Sequence, residues 1–492
     1  MSFARLEVMQ AAPRSSIRRE SDILRVLVIS AGLCWSVLFV YIALRYELQL
    51  YADGAMFSYA VAVQDVWAFH WHNIASRMSV FFLSLWPAEI YVGLTANPAG
   101  GIFVYGFLFY IAPLAGLVGT YLADRSRGRI IFAYACASTA LLCPLVFGFP
   151  TEMWMAHALF WPTLAVGHYA RQGVPGTALL SILMAALIFS HAGGAALAFA
   201  IVVTIALHGL RHPLFLRGAS VLVAVLAIWT LVKIIYPPDD YFADVLVRAA
   251  WHFFDPAIVE VNLILLLIAV LAGYGIVFFV LSRIVGERTA LLTAIVITVV
   301  ALFVYWLWCD RWIHASNRYY LRTLLVVITP AFGLLAALFA MRADGSPPAE
   351  AGALRNVWLL GSGTAARAFT GAFALVMFVH IAQTAMFVTD WTIYKAAVRA
   401  LATGDASDPD LGDPRFVSSQ RIAPDLNQLT WFSTIEYLSV IVANFTPARL
   451  VVDPEGNYFW LTCKTATENF QAPRSVPAPA RDLVRIYSCL HR

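Results

Sequence analysis

The chain has 492 residues, of which 61% are hydrophobic and only 13% are charged. Soluble domains are about 45–50% apolar and about 25% charged, so this composition excludes a soluble globular enzyme, a disordered protein and a nucleic-acid-binding protein. The net charge of +4, from 33 basic and 29 acidic residues, is too small to indicate a polyanionic partner.

Taken in chain order, the apolar segments predict an all-α polytopic membrane protein. A helix needs roughly 20 mostly apolar residues to cross the hydrocarbon core. Residues 1–22 are polar and precede an apolar run too long for a signal peptide, so we expect a cytoplasmic N-terminal tail. The pair 176–191 and 194–210 is short enough to be one broken unit. About eleven windows of spanning length lie at 23–44, 101–122, 130–148, 153–170, 176–191, 194–210, 218–236, 261–282, 289–308, 323–341 and 366–388.

The segment 77–95 is apolar but contains Arg77, Pro87 and Glu89. The positive-inside rule decides its placement, because short cytoplasmic loops carry an excess of Lys and Arg. If 77–95 lies in the interface, a series of arginine-bearing loops shares the side of the N-terminus. We therefore predict an interfacial helix within a first outer loop at 45–100, and an extracytoplasmic C-terminus. The arginine-bearing loops are 123–129, 171–175, 211–217, 283–288 and 342–365.

The loops predicted on the outer side differ in kind from the arginine-bearing ones. Those at 45–100 and 237–260 are long and acidic, and 309–322 is dense in polar and aromatic groups. Long, decorated loops on one face indicate that the chemistry takes place on that face.

The composition becomes more polar from about residue 389, so the spanning domain is expected to cover 23–388. We predict that 389–492 forms a small extracytoplasmic α+β domain, in which RLVVD and YFWLTC pair as a hairpin around the DPEGN turn. Cys463 and Cys489 lie in this tail, where either a disulfide or two thiols is compatible with the sequence.

Two carboxylates stand where predicted outer loops enter helices. Asp53 follows the first span and precedes Gly54, so it is either a helix N-cap or a general base for an acceptor hydroxyl. Glu152 begins the fourth span, where it either caps the helix and faces its dipole or serves as a second catalytic carboxylate. His157, further along the same helix, is predicted to be a packed polar residue.

Basic and aromatic residues mark two further outer positions. His191 lies in the SHAGGAA turn, which is read equally as a structural turn or as a binding site. Arg318, Tyr319 and Arg322 precede the tenth span, where arginine forks next to aromatic rings suit a phosphate group. The alternative is an interfacial anchor that positions the helix. An arginine cluster on the outer side departs from the positive-inside trend and favours the phosphate interpretation.

Several function classes are excluded by missing motifs. The chain has no P-loop, GxSxG elbow, HExxH or GxGxxG sequence, which argues against nucleotide hydrolysis, serine hydrolase, zinc protease and Rossmann chemistry. Its six cysteines show no CxxC or Cys/His spacing. The residues therefore define no cofactor, and Asp53 and Glu152 leave a divalent cation open without indicating one.

The order of these features resembles the GT-C superfamily of polytopic glycosyltransferases, in the bacterial branch related to protein mannosyltransferases and the aminoarabinose transferase of lipid A. The resemblance covers roughly 23–341 and rests on Asp53-Gly54 with Tyr59, on Thr151-Glu152, and on Arg318-Tyr319 with Pro330. Two departures stand out. The family's common Asp-Glu pair is Asp53-Gly54 here, and its lysine between the fifth and sixth spans is replaced by the stretch around His191.

The resemblance implies inverting transfer of a sugar from a polyprenyl-phosphate donor on the outer face of a bacterial-type cytoplasmic membrane. Asp53 would be the general base, Glu152 the second acid, and Arg318, with Arg322 or Arg77, would stabilise the leaving phosphate. The expected partners are the donor lipid, a glycan, lipid or protein acceptor, and membrane lipid. Two other interpretations remain open: a transporter or flippase of a lipid-linked sugar, and a noncatalytic GT-C-like scaffold.

Overall fold

The computed structural model describes residues 4–64, 66, 74–235, 261–308, 321–345, 363–404, 416–423, 426, 429 and 434–452. Four residues singled out from the sequence lie outside these ranges: Arg318, Tyr319, Cys463 and Cys489. The acidic loop at 237–260 also lies outside them.

The described residues are almost entirely helical. In chain order the helices are α1 Ala4–Tyr46, α2 Asp53–Ala62, α3 Ile74–Val80, α4 Trp86–Thr95, α5 Pro98–Tyr110, α6 Ala112–Ala123, α7 Ile130–Val146, α8 Glu152–Tyr169, α9 Val174–Ile188, α10 Ala192–Ile205, α11 Pro213–Ile235, α12 Val261–Ser282, α13 Glu287–Trp308, α14 Arg322–Gly345, α15 Gly363–Thr403 and α16 Ile435–Val442. The π-helical turn Phe81–Leu85 joins α3 to α4. The strands are β1 Phe416–Ser418 and β2 Leu450–Val452.

Every window predicted to span the membrane coincides with one of these helices or with the bent pair α5–α6. Within the described ranges, 7 helices are long and apolar enough to cross a membrane, or 8 if the pair bent by 40° counts as one span. Helices α7, α9 and α10 are apolar but shorter. An all-α polytopic architecture is therefore confirmed, whereas the number of about eleven spans stays a prediction. The broken unit considered at 176–210 is two helices, α9 and α10.

One end of the helical body gathers the loops that carry arginine. The Asp344 carboxylate accepts hydrogen bonds from the Arg127 backbone N–H at 2.9 Å and from the Tyr169 hydroxyl at 2.7 Å. The Arg217 guanidinium donates to the carbonyls of Ala170 and Arg171 at the end of α8. Since α8 is 18 residues long, its two ends are about 27 Å apart. The start of α8, at Glu152, therefore lies at the opposite end of the body.

Helices α4 and α5 pack together at the end of the body where α8 begins. A Cβ at Gly101 would touch Val92 of α4 at 2.1 Å, so the two helices are in direct contact. The last residue of α5, Tyr110, donates hydrogen bonds to the carbonyls of Leu48 and Gly148, beyond the end of α7. Arg77–Thr95 also qualifies as a span by length and composition. The interfacial placement of 77–95 thus stays a prediction.

Helix α15 has 41 residues and continues past residue 389, where the sequence predicted the tail to begin. The indole of Trp391 and the ammonium of Lys395 donate to the carbonyl of Tyr46, the last residue of α1. The composition therefore changes where α15 passes the end of α1. The helix itself continues for about three more turns beyond Trp391, to Thr403.

The described parts of the tail, 416–423 and 434–452, are seated on the helical body. Strand β2 pairs in parallel with β1, with Leu450 opposite Phe416. The strand predicted at RLVVD is present as β2. Among the described residues its partner is β1, which runs parallel to it and was not predicted. The second strand of the predicted hairpin, YFWLTC, lies outside them. Helix α16 packs against both α2 and α15.

Candidate functional site

The turn before α2 is tightly built. Ala52 precedes the helix with φ 47° and ψ −127°, a conformation that is costly for a residue with a Cβ, and it provides no side-chain cap. Asp53 is the first helical residue, so the interpretation of Asp53 as the N-cap is wrong. A Cβ at Gly54 would lie 2.3 Å from the Gln49 carbonyl oxygen and 2.6 Å from Pro150. Only glycine fits there, which explains why no second acid follows Asp53.

The contact of Gly54 with Pro150 brings the start of α8 against the start of α2. Thr151 is the N-cap of α8, with its hydroxyl accepting from the Met153 N–H at 3.4 Å. Glu152 is therefore not the cap but the first helical residue, and its side chain is 4% exposed. Its Oε1 lies 2.7 Å from Nη1 of Arg77. The second predicted acid is thus ion-paired with a predicted substrate-binding residue.

Two more helix starts meet at this place. The Ser79 N–H donates to the Phe189 carbonyl at 3.1 Å, which ties the helix that carries Arg77 to the turn before His191. His191 caps α10 by accepting the Gly193 N–H on Nδ1 at 3.0 Å. The structural interpretation of the SHAGGAA turn is therefore confirmed.

At Gly193, helix α10 packs closely against both α8 and α14. A Cβ at this position would lie 2.8 Å from Val326 and 3.0 Å from the sulfur of Met153. Val326 is one turn after Arg322, the first residue of α14, and Met153 directly follows Glu152. The first turns of α8, α10 and α14 therefore share one small space. Arg322 is largely buried there, with 8% of its surface exposed.

The charges of these residues act on one another. Burial raises the pKa of Asp53 to about 6, against an ordinary value of 3.8. The Arg77 charge lowers this pKa, the Glu152 charge raises it, and the Arg322 charge lowers it. No group among the described residues forms a hydrogen bond or an ion pair with the Asp53 carboxylate. A half-buried carboxylate that titrates near neutrality, with no such partner in this part of the chain, suits general-base chemistry.

His191 and Lys233 lie close to these charged residues. Burial, reinforced by the charges of Arg322, Arg77 and Lys233, holds the pKa of His191 well below its usual range, so its ring is uncharged. Lys233 lies near the end of α11 with its ammonium 3.8 Å from the centroid of the Trp229 ring. We call Asp53, Arg77, Glu152, His191 and Arg322 the helix-start cluster. It holds two acids and two guanidiniums, of which Glu152 and Arg77 form an ion pair.

Five of the seven site residues predicted from the sequence are therefore brought together, although they come from segments up to 269 positions apart, from Asp53 to Arg322. The other two, Arg318 and Tyr319, lie outside the described residues. His157 is a packed polar residue, as predicted, with its Nε2 2.8 Å from the Ser138 hydroxyl. Within the described ranges, no group of three or more His, Cys, Asp or Glu side chains is arranged to hold a metal ion.

One residue near the acids was missed by the sequence reasoning. Tyr105 of α5 is fully buried, and both Glu152 and Asp53 lie within electrostatic reach of its hydroxyl. The segment IFVYGFLFY shows only an apolar run with one more aromatic residue. The only available signal was the adjacent Gly106, which lets Gln49 approach α5 closely.

Comparisons with known proteins add no relative. No protein-family model matches the chain, and searches of curated proteins and of solved structures also find no match.

Proposed function

We propose that the protein is a membrane glycosyltransferase that moves a sugar from a polyprenyl-phosphate donor to an acceptor hydroxyl. The observation that supports this most is the helix-start cluster itself. It combines a carboxylate whose pKa is raised to about 6 with two guanidiniums, at one end of an apolar helical body. The Asp53 carboxylate is suited to accept a proton, and the guanidiniums of Arg77 and Arg322 are suited to stabilise a phosphate that gains negative charge.

In the proposed reaction Asp53 accepts the proton of the acceptor hydroxyl. The acceptor oxygen forms a bond to the anomeric carbon, and the bond between that carbon and the phosphate oxygen breaks on the opposite face. The products are an inverted glycoside and a polyprenyl phosphate, whose new charge Arg322, with Arg318 or Arg77, would stabilise. Glu152 holds Arg77 through its ion pair.

The location of the cluster is compatible with a lipid-borne substrate. The cluster lies at the first turns of α2, α8, α10 and α14, where the positive ends of the helix dipoles favour anions. The loops rich in arginine lie at the opposite end of the body, and the positive-inside rule would place that end in the cytoplasm. We therefore propose that transfer takes place on the extracytoplasmic face, with the donor's lipid tail among the helices.

The central test is Asp53→Asn in the protein reconstituted into lipid vesicles. Each of several polyprenyl-phosphate-linked sugars is supplied in turn, with alkyl glycosides as acceptors, and released polyprenyl phosphate is measured. Because Asn cannot accept the proton, transfer is expected to fall by about two to four orders of magnitude. Asp344→Asn, at the opposite end of the body, is the matched control and should retain turnover. Normal transfer by Asp53→Asn would defeat the assignment of the base.

Arg322→Lys tests the phosphate role in the same assay. Lysine keeps the charge but loses the planar fork, so a phosphate-binding arginine predicts a marked loss of turnover. A helix anchor predicts little change. Arg342→Lys, at the far end of the same helix α14, is the control.

A further inference from the structure

Tyr105 and Tyr110 lie on the same helix, α5, and both are fully buried. The Tyr110 hydroxyl donates to the carbonyls of Leu48 and Gly148, at 3.2 and 3.1 Å. Among the described residues the Tyr105 hydroxyl has no hydrogen-bond partner. A buried hydroxyl without a partner costs stability and calls for an explanation, since most such groups in folded proteins are satisfied. The contrast shows that the Tyr105 hydroxyl is not used to hold α5 in place.

The surroundings of Tyr105 show where its hydroxyl is placed. Its ring packs edge-on against Phe57, with centroids 6.5 Å apart. Phe57 follows Asp53 by one helical turn and therefore lies on the same face of α2. The Tyr105 hydroxyl donates no hydrogen bond to Asp53 or to Glu152. Tyr105 thus packs on the Asp53 face of α2, and its buried O–H, which bonds to no described residue, is available to a ligand.

We propose that the Tyr105 hydroxyl binds the acceptor: it donates a hydrogen bond to the acceptor oxygen whose own proton passes to Asp53. This inference rests on the proposed transferase function and specifies its acceptor subsite. The donor phosphate belongs beside the guanidiniums, because two carboxylates repel it. A neutral hydroxyl-bearing acceptor suits the acid side of the helix-start cluster. The phenol is a donor on one side of the acceptor oxygen, and Asp53 is the proton acceptor on the other.

The test compares Tyr105→Phe with Tyr110→Phe, two identical deletions of a buried hydroxyl on one helix. Tyr105→Phe should lower kcat/KM for an alkyl glycoside acceptor by about two- to tenfold, the effect of one lost neutral hydrogen bond. Its KM for the polyprenyl-phosphate sugar and its melting temperature should not worsen. Tyr110→Phe should melt at a lower temperature, because it loses two carbonyl contacts, while its folded fraction keeps wild-type kcat/KM for the acceptor.

Each result has a separate meaning. Wild-type transfer together with a Tyr105→Phe variant of unchanged acceptor kcat/KM would overturn this inference and leave the transferase function standing. A loss of melting temperature in Tyr105→Phe as large as that in Tyr110→Phe would also overturn it, because the hydroxyl would then be structural. If the wild-type protein releases no polyprenyl phosphate from any donor, the transferase function fails and the acceptor subsite falls with it.

Discussion

At the scale of single residues, Asp53 combines two properties that rarely favour stability. It is desolvated enough to raise its pKa to about 6, and it follows a residue with a strained backbone. Strain and perturbed ionisation concentrate at sites where geometry serves chemistry. Glu152 shows the opposite environment, since Arg77 compensates its burial. Two neighbouring carboxylates are thus assigned different roles by their partners.

The pH dependence of transfer should report on Asp53. In the proposed reaction Asp53 must be ionised to accept a proton, so kcat/KM should fall as the pH drops below about 6. Because the charge of Glu152 raises the pKa of Asp53, Glu152→Gln should move this acid limb to lower pH. Glu287→Gln, which breaks the ion pair with Arg367 on α15, is the control and should leave the limb in place. An acid limb of Glu152→Gln displaced upward would contradict the assigned interaction.

As the pH rises and Asp53 ionises, the free energy of unfolding should fall, whereas the proposed transfer activity should rise. Its pKa is higher in the folded protein than the ordinary 3.8, so folding favours the neutral carboxyl. The stability that this group contributes is fully present below pH 3.8 and is lost as the pH rises through about 6. Asp53→Asn should therefore melt at a higher temperature than the wild type at neutral pH, and the difference should shrink toward about pH 4. Melting curves across this range check the sign, and a variant less stable at neutral pH would refute it.

At the scale of elements, the site depends on helices that begin at one place. Glycines at 54 and 193 permit the contacts: one lets α2 meet Pro150 before α8, and the other lets α10 meet α8 and α14. The residues are far apart in the chain, so these contacts need the helices to be packed first.

Gly54→Ala is expected to damage both folding and transfer. The added Cβ would lie 2.3 Å from a backbone oxygen, which cannot move aside like the end of a flexible side chain. Gly273→Ala is the matched control, because a Cβ there meets nothing within 4 Å and alanine favours the helix. Yield of monodisperse protein and melting temperature are the measurements. Equal behaviour of the two variants would show that the close approach of α2 is not needed.

The sequence predicted the elements better than their contacts. Apolar windows located the helices because spanning length and apolarity are local properties. Asp53, Glu152 and His191 stood out because acids and histidines interrupt apolar runs at helix starts. The ion pair of Arg77 with Glu152, and the approach of Tyr105, depend on packing between distant segments. No local pattern encodes those contacts. Helix α15 continues past the predicted domain boundary at 389, because composition marks the edge of the apolar body and not the last helical hydrogen bond.

At the scale of the whole molecule, the opposed ends of the body define a topology that can be tested. Arg125 and Ala400 are both exposed, one in the arginine-bearing end and the other near the end of α15. Single cysteines at these positions, in a background without the native thiols, should label from opposite sides of the membrane, with residue 400 outside. Labelling of residue 125 from the outside would invert the proposed location of the helix-start cluster.

The tail that sits on α2 also has a consequence for the order of synthesis. The hydroxyl of Tyr51, two residues before Asp53, donates to the carbonyl of Leu429, 378 positions later. A ribosome adding roughly 5–20 residues per second needs on the order of 20–75 s to cover that distance. Throughout this interval the first helices have been made, but the turn that carries Asp53 still lacks its distal contact. A nascent chain would therefore complete the surroundings of Asp53 only after Leu429 has been synthesised.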